Sequence, residues 1–275
     1  MTMLNRKLKL NNGVEIPQIA LGTWQVSIAD AAHSTAFALE NGYQHIDGAH
    51  GYANSKGTRA GIAASKVKRE DIFLTTKVRG ESKTYAAVMS DVYDELADLG
   101  TDYLDLVLVH CPTPWKFFSR DEKRPNFYQE NLDVWRALSE LYEKGLVRAI
   151  GVSNFNVADL ENLLAHTNIK PVVNQILYHI GYTQPEIVEF CQANDIIIEA
   201  YSSLGTGRLL NNPEIQAIAD KYNKTVPQIC YRYPIQKGHV ILPKSVHEEY
   251  ILANAELDFE ISAEDMAGLD AMQID

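Results

Sequence analysis

Apolar positions along the chain follow two alternating rhythms. Short, nearly continuous apolar runs recur at Ile19–Gly22, Gln44–Asp47, Ile72–Lys77, Tyr103–His110, Val147–Ser153, Val172–Gln175, Ile196–Tyr201 and Val240–Lys244. Between them lie longer stretches with apolar residues every three or four positions. The clearest are Asp30–Asn41, Ser55–Ser65, Tyr85–Leu99, Asn131–Lys144, Asn156–His166, Gln184–Asn194 and Thr225–Lys237. The short runs predict strands buried on both faces, and the 3.6-residue period predicts amphipathic helices. Ahead of this alternation, Lys7–Leu10 and Val14–Pro17 flank Asn11-Asn12-Gly13. Asn-Gly suits the positive φ of a tight turn, so a β-hairpin is predicted there. Thr225 with Gln228 and Ser245 with Glu248 have capping-box spacing, and Ser262 with Asp265 is a weaker version. Pro234 predicts a kink in an otherwise helical run.

Eight strands alternating with helices imply a parallel sheet covered on both faces. An open doubly wound sheet uses the same units, but the count of eight favours closure. No composition break, linker or low-complexity tract marks a second domain. The expected fold is therefore α/β, a (β/α)8 TIM barrel, as one domain over residues 1–275 with the N-terminal hairpin closing the bottom.

Charge and cysteine content narrow the partners. The 36 acidic and 25 basic residues leave a net charge of −11. That balance disfavours nucleic acid and anionic membrane surfaces, which need basic patches. No apolar run is long enough to span a bilayer, and Met1–Leu10 lacks the apolar core of a signal peptide. Cys111, Cys191 and Cys230 are an odd number without CxxC spacing, which fits a reduced, cytoplasmic setting. His45 and His50 have no third ligand spaced near them, so no metal site is expected.

In a parallel barrel the chemistry gathers at the C-terminal strand ends. Those ends carry Trp24, Asp47, Lys77, His110, Ser153-Asn154, Gln175, Tyr201 and Lys244. Lys77 follows an apolar run, where an unpaired ammonium is costly, and Asp47 on the neighbouring strand is its natural counter-charge. A buried structural salt bridge is the plain alternative for that pair, as a satisfied rim histidine is for His110. Tyr52, five residues after Asp47, becomes a candidate acid beside a cation that stabilises its phenolate.

Five motifs then carry a family resemblance. Gly42-Tyr43-Gln44-His45-Ile46-Asp47-Gly48-Ala49-His50-Gly51-Tyr52-Ala53-Asn54, Thr76-Lys77-Val78, Val109-His110-Cys111-Pro112, Gly151-Val152-Ser153-Asn154-Phe155 and Leu242-Pro243-Lys244-Ser245 resemble the aldo-keto reductases in order and spacing. The resemblance implies a catalytic tetrad of Asp47, Tyr52, Lys77 and His110, and NADPH-dependent reduction of aldehydes or ketones to alcohols. Tyr52 would give the proton, Lys77 held by Asp47 would lower the tyrosine pKa, and His110 would orient the carbonyl. It also implies cofactor contacts at Gly22, Thr23, Ser153, Asn154, Gln175, Tyr201, Ser202, Leu204, Gly205, Thr206, Lys244, Ser245 and Asn254. Of these, Tyr201 would stack on the nicotinamide, and Lys244 with Ser245 would meet a 2′-phosphate. Trp24, Tyr52, His110 and Trp115 would line the substrate pocket, with Phe117 and Phe118 either beside them or packed under a loop.

The chemistry agrees with this from first principles. No side chain donates a hydride, so carbonyl reduction needs a cofactor, and a proton donor must face the developing alkoxide. Gly205-Thr206-Gly207 lacks the third glycine of a Rossmann fingerprint, so the barrel rim must bind the dinucleotide. Departures from the family pattern are Cys111 in place of a tryptophan, Tyr250 in place of an arginine, and Ala253 before Asn254. The missing arginine leaves NADH as a second possible cofactor, while Tyr250 offers an adenine stack. A short C-terminal segment implies an open mouth and broad carbonyl specificity, and a monomer is expected. Two alternatives remain: a Schiff-base (β/α)8 aldolase using Lys77, and a non-catalytic cofactor-binding relative.

Overall fold

A computed structural model describes residues 2–120 and 124–274. The hairpin pairs β1 (Lys7–Lys9) with β2 (Glu15–Pro17) in the register Leu8↔Ile16, and Gly13 takes the left-handed turn position at φ +89°. Eight parallel strands follow: β3 (Leu21–Gly22), β4 (His45–Asp47), β5 (Phe73–Val78), β6 (Leu106–Val109), β7 (Ile150–Ser153), β8 (Val173–Leu177), β9 (Ile197–Tyr201) and β10 (Val240–Ile241). Each pairs with its sequence neighbours. Closure comes from the ends of the series. Ile19 bridges Ile241, the Ala20 N–H reaches the Ile241 carbonyl at 2.9 Å, and the Gly22 N–H reaches the Pro243 carbonyl at 2.8 Å. A Cβ on Gly22 would sit 3.1 Å from the Leu242 carbonyl oxygen, so glycine lets the seam close tightly.

The helices are α1 (Ile28–Glu40), α2 (Ser55–Ser65), α3 (Tyr85–Leu99), α4 (Tyr128–Glu143), α5 (Val157–His166), α6 (Pro185–Ala193), α7 (Pro213–Lys221), α8 (Val226–Gln236), α9 (Glu248–Ala253) and α10 (Ala263–Ala271). The Thr225–Gln228 capping box forms, and so does one at Asn156–Asp159. Ser245 does not cap a helix as expected. Its Oγ accepts the His247 N–H at 3.0 Å in a local turn, and α9 begins after His247. The Ser262 Oγ accepts the Asp265 N–H at 3.1 Å without the reciprocal bond. Helix α8 runs through Pro234 and ends two residues later, so the proline marks its last turn. Helix α7 is an element the apolar pattern did not single out, although Asn212 caps it, Pro213 opens it, and Ile215, Ile218 and Ala219 form its buried stripe.

Two cores result. One lies between sheet and helices, around Trp135, Leu138, Ile150 and Ile198. The other fills the lower barrel, where Leu10 and Ile16 of the hairpin meet Phe73, Leu106, Leu108, Val173 and Val240. The Asn11 Nδ2 donates to the carbonyls of Pro171 (3.0 Å) and Asp195 (3.1 Å), and the Asn12 Nδ2 to that of Arg148 (3.1 Å). All three acceptors lie at strand starts, so the hairpin closes the N-terminal end of the barrel, as the sequence predicts. No described helix is long and apolar enough to cross a membrane.

Candidate active site

Strands alternate their side chains, so every second residue of β4, β5, β8 and β9 faces the barrel axis. At the upper end this delivers Asp47, Lys77, Gln175 and Glu199 into one buried cluster. The Lys77 Nζ donates to Asp47 Oδ1 at 2.7 Å, to Asp47 Oδ2 at 2.8 Å and to the Gly48 carbonyl at 2.7 Å. All three ammonium donors are therefore satisfied at a residue with no exposed surface. Burial, the largest influence, pushes the Lys77 pKa down, but Asp47, Tyr52 and Glu199 together more than offset it and the net shift is upward. Lys77 is a cation at neutral pH.

Tyr52 lies on the short 3₁₀ turn His50–Tyr52 that follows β4, with its ring centroid 5.3 Å from the Lys77 Nζ. Its pKa corrects the sequence expectation. Burial raises it and Lys77 only partly pulls it back, so the net shift is upward from 10.0. The phenol therefore stays protonated at neutral pH. His110 follows β6 and stands edge-on to Tyr52 at 5.7 Å and to Trp115 at 5.0 Å. Burial, with Lys77 and Lys83 nearby, pushes its pKa down to about 3, so the imidazole is neutral. Its ring nitrogens have no hydrogen-bond partner among the described residues. The wall continues through Phe118, edge-on to Trp115 at 5.5 Å, while Trp24 and Phe117 are exposed at the rim.

The residues expected to bind a cofactor fall into three groups. Ser153, Asn154, Gln175 and Tyr201 form one connected set at adjacent strand ends. The Ser153 Oγ donates to the Gln175 carbonyl at 2.9 Å, and the Asn154 Nδ2 donates to Ser153 Oγ and to the His110 carbonyl. The Tyr201 hydroxyl donates to Asn154 Oδ1 at 2.7 Å and accepts from Arg120 at 2.7 Å. Ser202, Leu204, Gly205 and Thr206 form a tight loop, with Ser202, Gly205 and Thr206 all at positive φ, leading into a 3₁₀ segment (Gly205–Asn211). Lys244 is exposed without a carboxylate partner among the described residues, Tyr250 is 57% exposed, and Asn254 is buried at the end of α9. Gly22 and Thr23 are engaged in the barrel itself. The Thr23 hydroxyl donates to the Asp47 carbonyl at 2.9 Å.

Supporting residues that sequence reasoning missed sit just behind this set. Glu95 of α3 is buried and accepts from Ser55 Oγ (2.9 Å) and Thr76 Oγ1 (2.8 Å), and pairs with His50 Nδ1 (3.0 Å). It ties the turn that carries Tyr52 to the residue preceding Lys77. Asp91 holds the loop after β5 by accepting from the Arg79 N–H and guanidinium and from Ser82 Oγ. Lys83, buried and with its pKa lowered to about 8, donates to the Cys111 carbonyl at 2.6 Å and to Asn131 Oδ1 at 3.0 Å. Charges set inside an otherwise apolar helical face, as at Asp91 and Glu95 of α3, are the sequence signal for such anchors. The three cysteines are free and buried, and burial raises each thiol pKa. Among the described residues no cluster of three or more His, Cys, Asp or Glu could hold a metal.

The model of the aldo/keto reductase family matches residues 18–274. A glyoxal reductase of Bacillus subtilis is 42% identical, with the match covering all of this chain and 95% of that protein. An aldo/keto reductase crystal structure from Brucella melitensis superposes with a TM-score of 0.88 at 38% identity, covering 96% of this chain and 98% of that one. A further aldo-keto reductase, crystallised with NADPH, gives a TM-score of 0.85 at 37% identity over 98% of this chain and 88% of its own.

Proposed function

The chain belongs to the aldo/keto reductase family, and from that premise we propose that it reduces aldehydes or ketones to alcohols with NADPH, using Asp47, Tyr52, Lys77 and His110. The observation that carries this reading is the sealed Asp47–Lys77 pair placed beneath the Tyr52 ring, with the neutral His110 across from it. One barrel domain and one copy of the chain supply the whole set.

Bound NADPH supplies the hydride that no side chain can. The residues present fit such a ligand. The Gln175 Nε2 is engaged by two carboxylates, which leaves its Oε1 as an acceptor without a partner among the described residues. Tyr201 offers an aromatic face at a strand end, and Lys244 offers an unpaired cation suited to a 2′-phosphate. Ser153 and Asn154 fix Tyr201 and the His110 backbone through the bonds described above.

The four central residues have separate tasks. Tyr52, protonated because burial keeps its pKa high, delivers a proton to the carbonyl oxygen as alkoxide character develops. Lys77 stabilises the phenolate left behind, and Asp47 keeps the ammonium fixed and charged. His110 is neutral and so donates a hydrogen bond to the carbonyl oxygen without competing as an acid. Trp115 and Phe118 form an aromatic wall on one side of the site.

A Schiff-base aldolase would need Lys77 as a free amine. The triple hydrogen bonding and raised pKa of Lys77 argue against that reading. Glyoxal is the first substrate to test, given the name of the Bacillus relative. Purified protein mixed with NADPH and glyoxal should consume the reduced nicotinamide absorbance, and Tyr52→Phe should not. Equal turnover by Tyr52→Phe would overturn the assignment of the proton donor.

A further inference from the structure

Glu199 has no role in the chemistry described above, yet it lies at its centre. It is the middle residue of β9, in register with Gln175 of β8, and has no exposed surface. The Gln175 Nε2 bridges two acids, donating to Asp47 Oδ2 at 3.0 Å and to Glu199 Oε2 at 2.9 Å. The other Glu199 oxygen, Oε1, is sealed from solvent and has no hydrogen-bond partner among the described residues. A buried carboxylate with an orphaned oxygen is expensive to maintain, and Asp47 adds a like charge through one amide.

We propose that Glu199 is a positioning residue of the reductive site: it holds the Gln175 amide with Oε1 free for the cofactor and, through that amide, stands next to the Asp47 carboxylate that Lys77 meets. This rests on the functional reading above and extends it to a residue outside the tetrad. The amide orientation follows from its neighbours. With carboxyl oxygens on two sides, the NH2 end must face both, because the opposite flip would set carbonyl oxygen against the Asp47 carboxylate.

The groups acting on Glu199 are Asp47 from β4, Lys77 from β5 and the Gln175 amide from β8, while β10 presents Val240. Burial first, and Asp47 second, raise its pKa from 4.5 to about 8. Above that pH a second negative charge enters the cluster and draws on Lys77. Lys77 then stabilises the Tyr52 phenolate less, and reduction slows. Tyr52 itself remains protonated in that range, whereas Lys83 is also lowered to about 8, so the response of the alkaline limb to Glu199→Gln is what assigns it to Glu199.

The test uses the native chain, Glu199→Gln and Glu199→Ala. The first readout is kcat/KM for glyoxal reduction across about pH 6 to 10. The native profile should fall near pH 8, and Glu199→Gln should move that fall upward by about one unit or more. NADPH affinity, read from quenching of protein fluorescence, should weaken about 3–10-fold in Glu199→Ala and return to within about twofold in Glu199→Gln. A third readout needs no turnover. The folded-state pKa is raised, so native stability is lost relative to Glu199→Gln as pH climbs from 4.5 toward about 8, and the Tm advantage of the variant should grow across that interval. An unchanged alkaline limb in Glu199→Gln, equal NADPH affinity in all three proteins, or a Tm difference independent of pH would overturn the inference. Absence of glyoxal or other aldehyde turnover in the native chain would instead sink the functional reading, and the binding and Tm readouts would still decide the role of Glu199.

Discussion

The lower and upper halves of the barrel interior are built from the same strands and the same alternation of side chains, but they are filled in opposite ways. Below, Leu10, Ile16, Phe73, Leu106, Leu108 and Val240 close an apolar layer, and His45, packed edge-on against Phe73, is kept neutral there by burial, which pushes its pKa down to about 4. Above, Asp47, Lys77, Gln175 and Glu199 occupy equivalent inward positions, joined by hydrogen bonds that leave Gln175 Oε1 and Glu199 Oε1 without partners among the described residues. The lower layer gains stability in proportion to the apolar area it removes from water. The upper layer must offset several desolvated charges against one another and gains little net stability from doing so. The contrast separates what holds the barrel together from what the barrel is for.

Substitutions in the two layers should therefore separate activity from stability. The largest effect is expected at Tyr52, where Tyr52→Phe removes the proposed proton donor and should lower kcat/KM by about 10²–10⁴-fold, with Tm near the native value in a thermal melt. Lys77→Met strands Asp47 without its cation and should cost about 3–5 kcal/mol of unfolding free energy in urea, as well as activity. If it proved as stable as the native chain, the upper layer would be less strained than described. Ile16→Ala, in the lower layer, should cost about 2–5 kcal/mol in the same urea measurement while kcat/KM of the folded enzyme stays native at low temperature. The smallest effect concerns His50, whose pKa is raised by its hydrogen bond to Glu95. Its contribution to stability is full below the ordinary histidine value of 6.5 and is lost as pH rises through the raised folded value. The Tm gap between the native chain and His50→Gln should accordingly be wider at about pH 6 than at about pH 8.

The barrel was legible because its strands are buried on both faces, which leaves continuous apolar runs of diagnostic length. The clustering of Asp47, Tyr52, Lys77 and His110 was legible because each ends such a run or closely follows one, as Lys77 follows Phe73-Leu74-Thr75-Thr76. Less visible was anything set by depth. The Tyr52 pKa depends on how deeply the ring is seated, and burial outweighs the cation that sequence alone brings to mind. Glu199 was hidden in plain view within Ile197-Ile198-Glu199-Ala200-Tyr201. Counting by twos back from Tyr201 places it on the inward face, a signal that a search confined to strand ends passes over. Helix α7 was missed because it falls outside a one-to-one alternation of strands and helices: two helices, α7 and α8, lie between β9 and β10. The Ser245–Glu248 spacing misled because a serine two residues before an N–H makes a local turn as readily as it caps a helix.

The amides of Asn11 and Asn12 reach carbonyls 136, 160 and 184 residues further along the chain. During translation at roughly 5–20 residues per second, the hairpin leaves the ribosome about 10–40 s before its last acceptor at Asp195 has been made. The Ile19–Ile241 bridge waits longer still. The hairpin, synthesised before every strand it meets, is thus among the last elements to find its place, and the open apolar floor of the nascent barrel is the surface a chaperone would have most reason to cover.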